Sequence, residues 1–391
     1  MDIFEDPKIE ETEIIETEDT SSGEEITIPF SPSDISLSTP PMNMGDLIDR
    51  IQYRWINFGT EYQRSANLWS EEKQSRLIES ILLGLRLPAF YFEEVSKDNW
   101  KIIDGLQRCS TIKNYCVDNS FSLDHLEFLA PKFKGKKYSE LSFETIRDIR
   151  MLPVTVNVLH AGTPDRVKYI LFKRLNTGGV ELTTQEIRNA MFQGKAIDIV
   201  NKLAKNPSFK KATDPRMPVK RMQPQDFVSR FIAFYIQDYH SYLPDLDSFI
   251  NASMEKLRDS VDDEQTKKME KDFIAAMELA NDIYGSDAFR KRDDFSSSRR
   301  PLNRAYFEVI STTFAKLSES DRNELLYKKD LLIYNSVILM QQSKAYNNSF
   351  SGGTGQKDSV IRRFSFYEEI VKRSLLGYKI RVNYDNKIEN I

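Results

Sequence analysis

Residues 102–112 read Ile-Ile-Asp-Gly-Leu-Gln-Arg-Cys-Ser-Thr-Ile. An apolar run stops at Asp104-Gly105 and a helical pattern starts at once. The first N–H groups of a helix have no intrahelical partner and carry positive partial charge, so phosphate suits this position. Arg108 adds a planar, permanently charged fork in the first turn. Asp104 is placed either to hold a metal or water or to close the turn, and Gln107 to touch a base, sugar or phosphate. A second segment, Phe172-Lys173-Arg174-Leu175-Asn176-Thr177-Gly178-Gly179, has the same character. Asn176, Gly178 and Gly179 there make either an anion nest or an ordinary helix C-cap and turn. Tyr62-Gln63-Arg64, with Trp69 nearby, sets an amide and a guanidinium beside aromatic rings, which suits a nucleotide edge or a brace between loop and core. Arg188 follows Glu186 by two residues and is expected to face the first site. Glu186 itself needs no chemistry, because Thr183-Thr184-Gln185-Glu186 is a capping box. The chemistry these residues suit is phosphoryl binding: cations and backbone donors stabilise phosphoryl charge while a carboxylate positions metal or water.

The elements that must hold these groups are legible from periodicity. Met44–Gln52 reads as a short helix. Ser70 opens another, in which Leu77, Ile78, Ile81, Leu82 and Leu85 repeat at helical spacing. Ala89–Val95, Trp100–Ile103 and Leu152–Leu159 alternate as strands, and Gln107–Val117 reads as a helix. Pro164 opens a helix through Leu175. From Pro224 onward the character changes: Phe227–Tyr239, Phe249–Leu257, Lys267–Tyr284, Pro301–Lys316, Asp321–Met340 and Asp358–Ser374 all show helical spacing. The pattern predicts an acidic disordered tail over 1–40, an α/β domain over 41–205 and an all-α domain over 206–391.

Charge is unevenly spread. Residues 1–27 hold eleven acids and one lysine, whereas the chain as a whole has 55 basic and 59 acidic residues. The rest of the chain is therefore basic. The acidic start reads as a solvated tail, or as a shield over a basic surface that a polyanion displaces. Arg290, Lys291, Arg292, Arg299, Arg300 and Arg304 form a basic segment around Ser296–Ser298, either a solvated surface or a grip on phosphate backbones. The loop with Gly352, Gly353 and Gly355, ahead of Arg362 and Arg363, is a flexible connection or a flap over a ligand. The only cysteines, Cys109 and Cys116, are seven apart on one helix and suit core packing in a reducing compartment. With no signal peptide and no membrane-length apolar run, a cytoplasmic protein is expected. The sequence carries no P-loop, and His125, His160 and His240 lack metal-ligand spacing, so any metal is a hard cation on carboxylate and phosphate oxygens.

These motifs carry a resemblance. The chain resembles the Asp-Gly-Gln-Gln-Arg domains at the N-terminal end of GmrSD-type modification-dependent restriction enzymes, a family related to the ParB/sulfiredoxin fold. The resemblance rests on Tyr62-Gln63-Arg64 with Trp69, on Ile78–Gly84, on Asp104-Gly105-Leu106-Gln107-Arg108 through Thr111, on Phe172–Gly179 and on Leu182–Ala190. It spans residues 44–200. Leu106 stands where the signature has its first glutamine. The helical half also resembles stand-alone members, through Arg221-Met222, Arg230-Phe231, Phe289-Arg290-Lys291 and the Gly353-Thr354-Gly355 loop followed by Arg362-Arg363-Phe364. There Pro224 stands in place of an acid that Asp226 supplies two residues on. The C-terminal nuclease module of the longer enzymes is not seen in this sequence.

The resemblance implies a ParB/sulfiredoxin-like α/β domain followed by an all-α domain, in a stand-alone defence protein against foreign DNA. It implies a nucleoside triphosphate with Mg²⁺ at Asp104–Arg108. Asp104 is the metal residue, Asp104 and Arg108 are the catalytic pair, and Gln63, Arg64, Gly105, Gln107, Asn176, Gly178, Gly179 and Arg188 complete the pocket. Hydrolysis then serves as a switch, and a separate nuclease or other defence protein is the expected partner. Two alternatives stay open: a DNA-binding module without turnover, and Mg²⁺-dependent DNA nicking by the α/β domain. Sulfiredoxin chemistry is excluded, because that family's cysteine precedes its arginine whereas Cys109 follows Arg108.

Overall fold

A computed structural model of the chain describes residues 14–18, 35–58, 69–175, 182–295, 299–385 and 387–391. It divides into two compact units, Phe30–Glu181 and a second made of Met1–Pro29 with Leu182–Ile391.

The first unit is α/β. Helix α1 (Met44–Gln52) starts at a reciprocal cap in which Asn43 accepts from the Asp46 amide and Asp46 accepts from the Asn43 amide. Its apolar face (Met44, Leu47, Ile48, Ile51) is buried. Helix α2 (Glu71–Leu82) is capped by Ser70 and buries Ile78 and Ile81. The five-stranded sheet runs β1 (Leu37–Ser38), β7 (Val156–Leu159), β4 (Phe90–Ser96), β5 (Asn99–Asp104) and β3 (Ile56–Asn57), in that spatial order. β4 and β5 form an antiparallel hairpin, while β4 with β7 and β3 with β5 are parallel. Phe90, Phe92, Trp100, Ile102, Val156 and Val158 put this sheet into one core with α1 and α2. Leu152–Leu159 is not one strand: Pro153–Val154 (β6) pairs with β2 (Met42–Asn43), and only Val156–Leu159 joins the large sheet. Helix α3 (Leu106–Ile112) follows β5 and widens into a π turn over Lys113–Val117.

Glu79 of α2 is buried, yet it is an acid. Its carboxylate accepts from the amides of Glu127 (2.9 Å), Phe128 (2.7 Å) and Leu129 (2.8 Å), fastening the loop ahead of the short helix α4 (Ala130–Phe133). Burial raises its pKa, but these three donors outweigh it and hold the carboxyl below its ordinary value. A 3-10 turn (Tyr138–Glu140) and helices α5 (Phe143–Met151) and α6 (Asp165–Leu175) complete the described elements of this unit.

The second unit is helical. The predicted capping box is present: Thr183 Oγ1 accepts from the Glu186 amide and Glu186 accepts from the Thr183 amide, opening α7 (Thr184–Met191). Helices α8 (Lys195–Ala204) and α9 (Pro207–Ala212) follow, with Ile197, Val200 and Phe209 in the helical core. The chain therefore divides at Glu181/Leu182 rather than at 205. Next come α10 (Gln223–Ile236), α11 (Leu246–Asp259), α12 (Asp263–Tyr284) and α13 (Arg304–Lys316). Their core is aromatic, with Phe231 and Phe273 rings 4.8 Å apart and Phe227 and Phe307 5.1 Å apart. Asp321–Met340 is two helices, α14 (Glu319–Tyr327) and α15 (Lys329–Gln342), with Lys328 between them. Short α16 (Lys344–Asn348), long α17 (Lys357–Leu375) and a hairpin of β8 (Ile380–Val382) with β9 (Ile388–Asn390) follow.

Residues 14–18 correct the reading of 1–40 as a solvated tail. Ile14 and Ile15 lie in the helical core, Ile15 pairs with Leu302, and backbone hydrogen bonds join Glu16 N to Leu302 O and Leu302 N to Ile14 O, each 2.8 Å. Two adjacent isoleucines supply the apolar burial that an acidic composition conceals.

Candidate functional site

Asp104 ends β5 opposite Tyr91. Gly105 turns the chain with φ of 98°, a left-handed value that L side chains resist. A Cβ there would also meet Phe90 Cδ1 at 2.7 Å, so the turn requires glycine twice over. No side chain caps the start of α3, whose first turn closes with Cys109 N donating to Gly105 O at 2.8 Å. Arg108 folds back over this turn. Its Nη2 donates to Asp104 Oδ2 at 2.7 Å and to Ala89 O at 3.3 Å, its Nη1 donates to Pro88 O, and its guanidinium lies 4.6 Å from the centre of the Phe90 ring. The arginine is thus a clamp between the start of β4 and the end of β5. Asp104 is about one-third exposed, and among the described residues nothing donates to its second oxygen. That oxygen fits the role of metal or water ligand. Cys109 is fully buried on the other face of α3, and burial lifts its thiol to about 12, which suits packing and not nucleophilic chemistry.

Residues 44–193 match the family described as GmrSD restriction endonuclease, N-terminal domain. This segment of the chain belongs to that family. No curated protein and no solved structure matches the chain. In this GmrSD N-terminal domain, the Ile78–Gly84 motif is a structural one, because Glu79 holds three backbone amides.

Of the remaining residues of the expected pocket, only Gln107 and Arg188 lie among the described residues. Gln63, Arg64, Asn176, Gly178 and Gly179 lie outside the described residues. Gln107 is half-buried, and its carbonyl accepts from Thr111 Oγ1 at 2.8 Å. Arg188 is held within its own unit. It belongs to the helical unit, is 1% exposed, and donates to Asn251 Oδ1 (3.0 Å), Gln185 Oε1 (3.1 Å) and Asp247. A guanidinium so enclosed is a structural ion pair.

Sequence reasoning missed one charged cluster of the α/β unit. Lys168 of α6 bonds Glu93 of β4 at 2.6 Å and Asp165 at 3.1 Å, and His160 Nδ1 lies 2.8 Å from Glu94. The i,i+3 spacing of Asp165 and Lys168 was visible, but the strand partner was not. Burial lowers the pKa of Lys168, yet Glu93 and Asp165 outweigh it and the net shift is upward. The amine stays protonated and cannot serve as a general base. Among the described residues no three His, Cys, Asp or Glu side chains cluster to hold a metal ion. No helix among them is long and apolar enough to cross a membrane.

The second motif set converges inside the helical unit. Arg230, Lys291, Thr354 and Arg363 all meet acids there. Glu308, fully buried, receives Arg230 and Arg363 at 2.6 Å each. Asp226 receives Arg304 at 2.9 Å, with Arg230 at 3.4 Å and Arg188 at 3.9 Å. Arg221 and Met222 both take left-handed backbone conformations just ahead of α10, and Arg221 pairs with Glu186 at 3.4 Å. The basic segment 290–304 is likewise paired internally: Arg290 and Arg299 with Asp214, Lys291 with Glu16, Arg292 with Asp287, Arg300 with Asp293, Arg304 with Asp226. Each of these cations has an acidic partner, although Arg290 and Arg299 share Asp214 with Arg216. The Gly352–Gly355 loop is tied down too, because Thr354 is buried and Gly355 O accepts from Tyr242 at 2.7 Å.

Proposed function

We propose that the chain is a restriction-type defence protein whose α/β unit, on a ParB/sulfiredoxin-like plan, binds a nucleoside triphosphate with Mg²⁺ at the Asp104–Arg108 turn and hydrolyses it as a regulatory step. The observation that carries this reading is Asp104 itself. Its carboxylate stands at a left-handed glycine turn, at the uncapped start of a helix, with one oxygen held by Arg108. Such a start favours negative charge. The match of this segment to a restriction-endonuclease domain supports the defence context. Bound nucleotide would bring Mg²⁺ to neutralise phosphoryl charge. Asp104 positions that cation or a water through its second oxygen. Arg108 is a positioning residue: it holds Asp104 and the Pro88–Phe90 backbone and adds positive charge near the phosphates. A protein without membrane attachment, acting in the cytoplasm with a separate nuclease, fits this reading.

Asp104→Asn tests it with little risk to the fold, since the amide oxygen still accepts from Arg108. Wild-type protein should show a raised melting temperature with one of the four ribonucleoside triphosphates and Mg²⁺. A ligand at 100 times its Kd stabilises by about 2.7 kcal/mol. Asp104→Asn should lose that shift and any phosphate release. A wild-type melting temperature unmoved by all four nucleotides at millimolar concentration would refute the proposal.

A further inference from the structure

The extended segment 14–18 forms one wall of a crevice of about 380 Å³ in the helical unit, whose other walls include Thr183, Gln185, Arg221, Asp226 and Arg304. Thr17 is exposed, and the residues on either side of it turn inward. Glu16 accepts from Lys291 Nζ (2.6 Å) and Asn303 Nδ2 (2.9 Å). Glu18 accepts from Arg230 Nη1 (3.2 Å) and Nη2 (2.7 Å) and from Thr354 Oγ1 (2.6 Å). Each of these partners is a hydrogen-bond donor. A fork that seats a carboxylate seats a phosphate with the same geometry.

The charge balance shows what the crevice demands. Among the described residues, the network holds five cations (Arg188, Arg230, Lys291, Arg304, Arg363) and three acids of the helices (Asp226, Asp247, Glu308). Arg221 and Glu186 cancel each other. Two buried positive charges are left over, and Glu16 and Glu18 neutralise them. Buried charges without partners are strongly destabilising, so the crevice needs a double negative charge. Nothing requires that charge to come from this chain. Apart from its carboxylates, the segment is held by two backbone hydrogen bonds, an Arg304 contact to Glu16 O at 3.3 Å and two isoleucines.

We propose that the donors that hold Glu16 and Glu18 at the wall of this crevice are a phosphate-binding site, occupied in the resting protein by the two carboxylates and yielded to the phosphate groups of an incoming polyanion. The occupant we favour is the backbone of a single nucleic-acid strand, which offers successive phosphates to the places that the two carboxylates vacate. The site lies in the helical unit and does not depend on nucleotide binding at Asp104.

The test reads displacement directly. Hydrogen exchange of the full chain is followed at the Glu16 and Leu302 amides, alone, with inorganic pyrophosphate, with a twelve-nucleotide single-stranded DNA, and with polyglutamate. Loss of protection at both amides with the oligonucleotide supports the proposal, and loss with pyrophosphate as well extends the site to small phosphates. Unchanged protection with both, or loss only with polyglutamate, overturns it. In parallel, Glu16→Gln/Glu18→Gln should bind the oligonucleotide about tenfold tighter or more, the size expected for removing charged hydrogen-bond competitors. Its affinity should fall steeply with salt, and adding Arg304→Gln should cancel the gain. Equal affinity in a folded double variant overturns the proposal. If that variant does not fold, the exchange measurement on wild-type protein decides alone.

Discussion

Gly105→Ala isolates what the signature turn requires. The residue has φ of 98°, and a Cβ there lies 2.7 Å from Phe90 Cδ1 and 3.3 Å from Arg108 Nη2. The left-handed backbone costs a non-glycine residue about 1–2 kcal/mol. The contact cannot be relieved cheaply, because Phe90 is fully buried between Phe92 and the Arg108 guanidinium. Overpacking of this kind costs about 1–3 kcal/mol. Reduced freedom of the unfolded chain returns about 0.4–1 kcal/mol. The net loss is about 2–4 kcal/mol, or a fall of roughly 5–15 °C in the melting temperature of a unit this size. Differential scanning calorimetry of the full chain reads it in the transition of the α/β unit. In a Phe90→Leu background the ring contact is gone, and only the backbone part, about 1–2 kcal/mol, should remain. A Gly105→Ala transition within about 1 °C of wild type, or a Phe90→Leu background that changes nothing, refutes the reasoning.

Two further outcomes follow from the same kind of argument. Glu79→Ala strands three amides of the 127–129 loop and should cost about 3–5 kcal/mol, whereas Glu79→Gln keeps one acceptor and should cost less; equal melting temperatures for wild type and Glu79→Ala would contradict the latch. The second concerns acid. Burial raises the pKa of Glu18, but the charge and hydrogen bonds of Arg230 and the Thr354 hydroxyl outweigh it and hold the carboxyl below its ordinary 4.5. The docked carboxylate therefore binds protons less readily than the undocked one. Docking is fully supported above pH 4.5 and weakens as pH falls through the lowered value. Exchange at the Leu302 amide, corrected for its intrinsic pH dependence, should accelerate in that range and not above it. Acceleration on raising pH instead would contradict the assignment.

Local chemistry was legible from the sequence; convergence was not. Met44–Gln52 and the Thr183–Glu186 box stand as read, because a cap and a 3.6-residue repeat are decided within a few residues. Cys109 faces the core for the same reason. Leu152–Leu159 misled because alternation reports burial on two faces and says nothing of which partner strand each half chooses. The break at Lys328 was hidden because α15 buries residues on several sides, which blurs periodicity. The acidic start misled for a related reason: composition suggests solvation, but Glu16 and Glu18 are matched by Lys291 and Arg230 hundreds of residues away. Arg221, Arg230, Lys291 and Arg363 were each visible as a motif. Their meeting with Glu16, Glu18, Glu186, Asp226 and Glu308 depends on helix packing that no local pattern encodes.

The bridge between Ile15 and Leu302 also sets an order of events during synthesis. A ribosome adding about 5–20 residues per second leaves Ile14 and Ile15 waiting roughly 15–60 s for their partner to emerge. Through that interval the nascent chain carries a greasy pair flanked by acids, and those neighbouring charges keep it from associating with other nascent chains. The earliest residues made are then among the last to settle, so a stalled or shortened translation product would leave Glu16 and Glu18 without the cations that receive them.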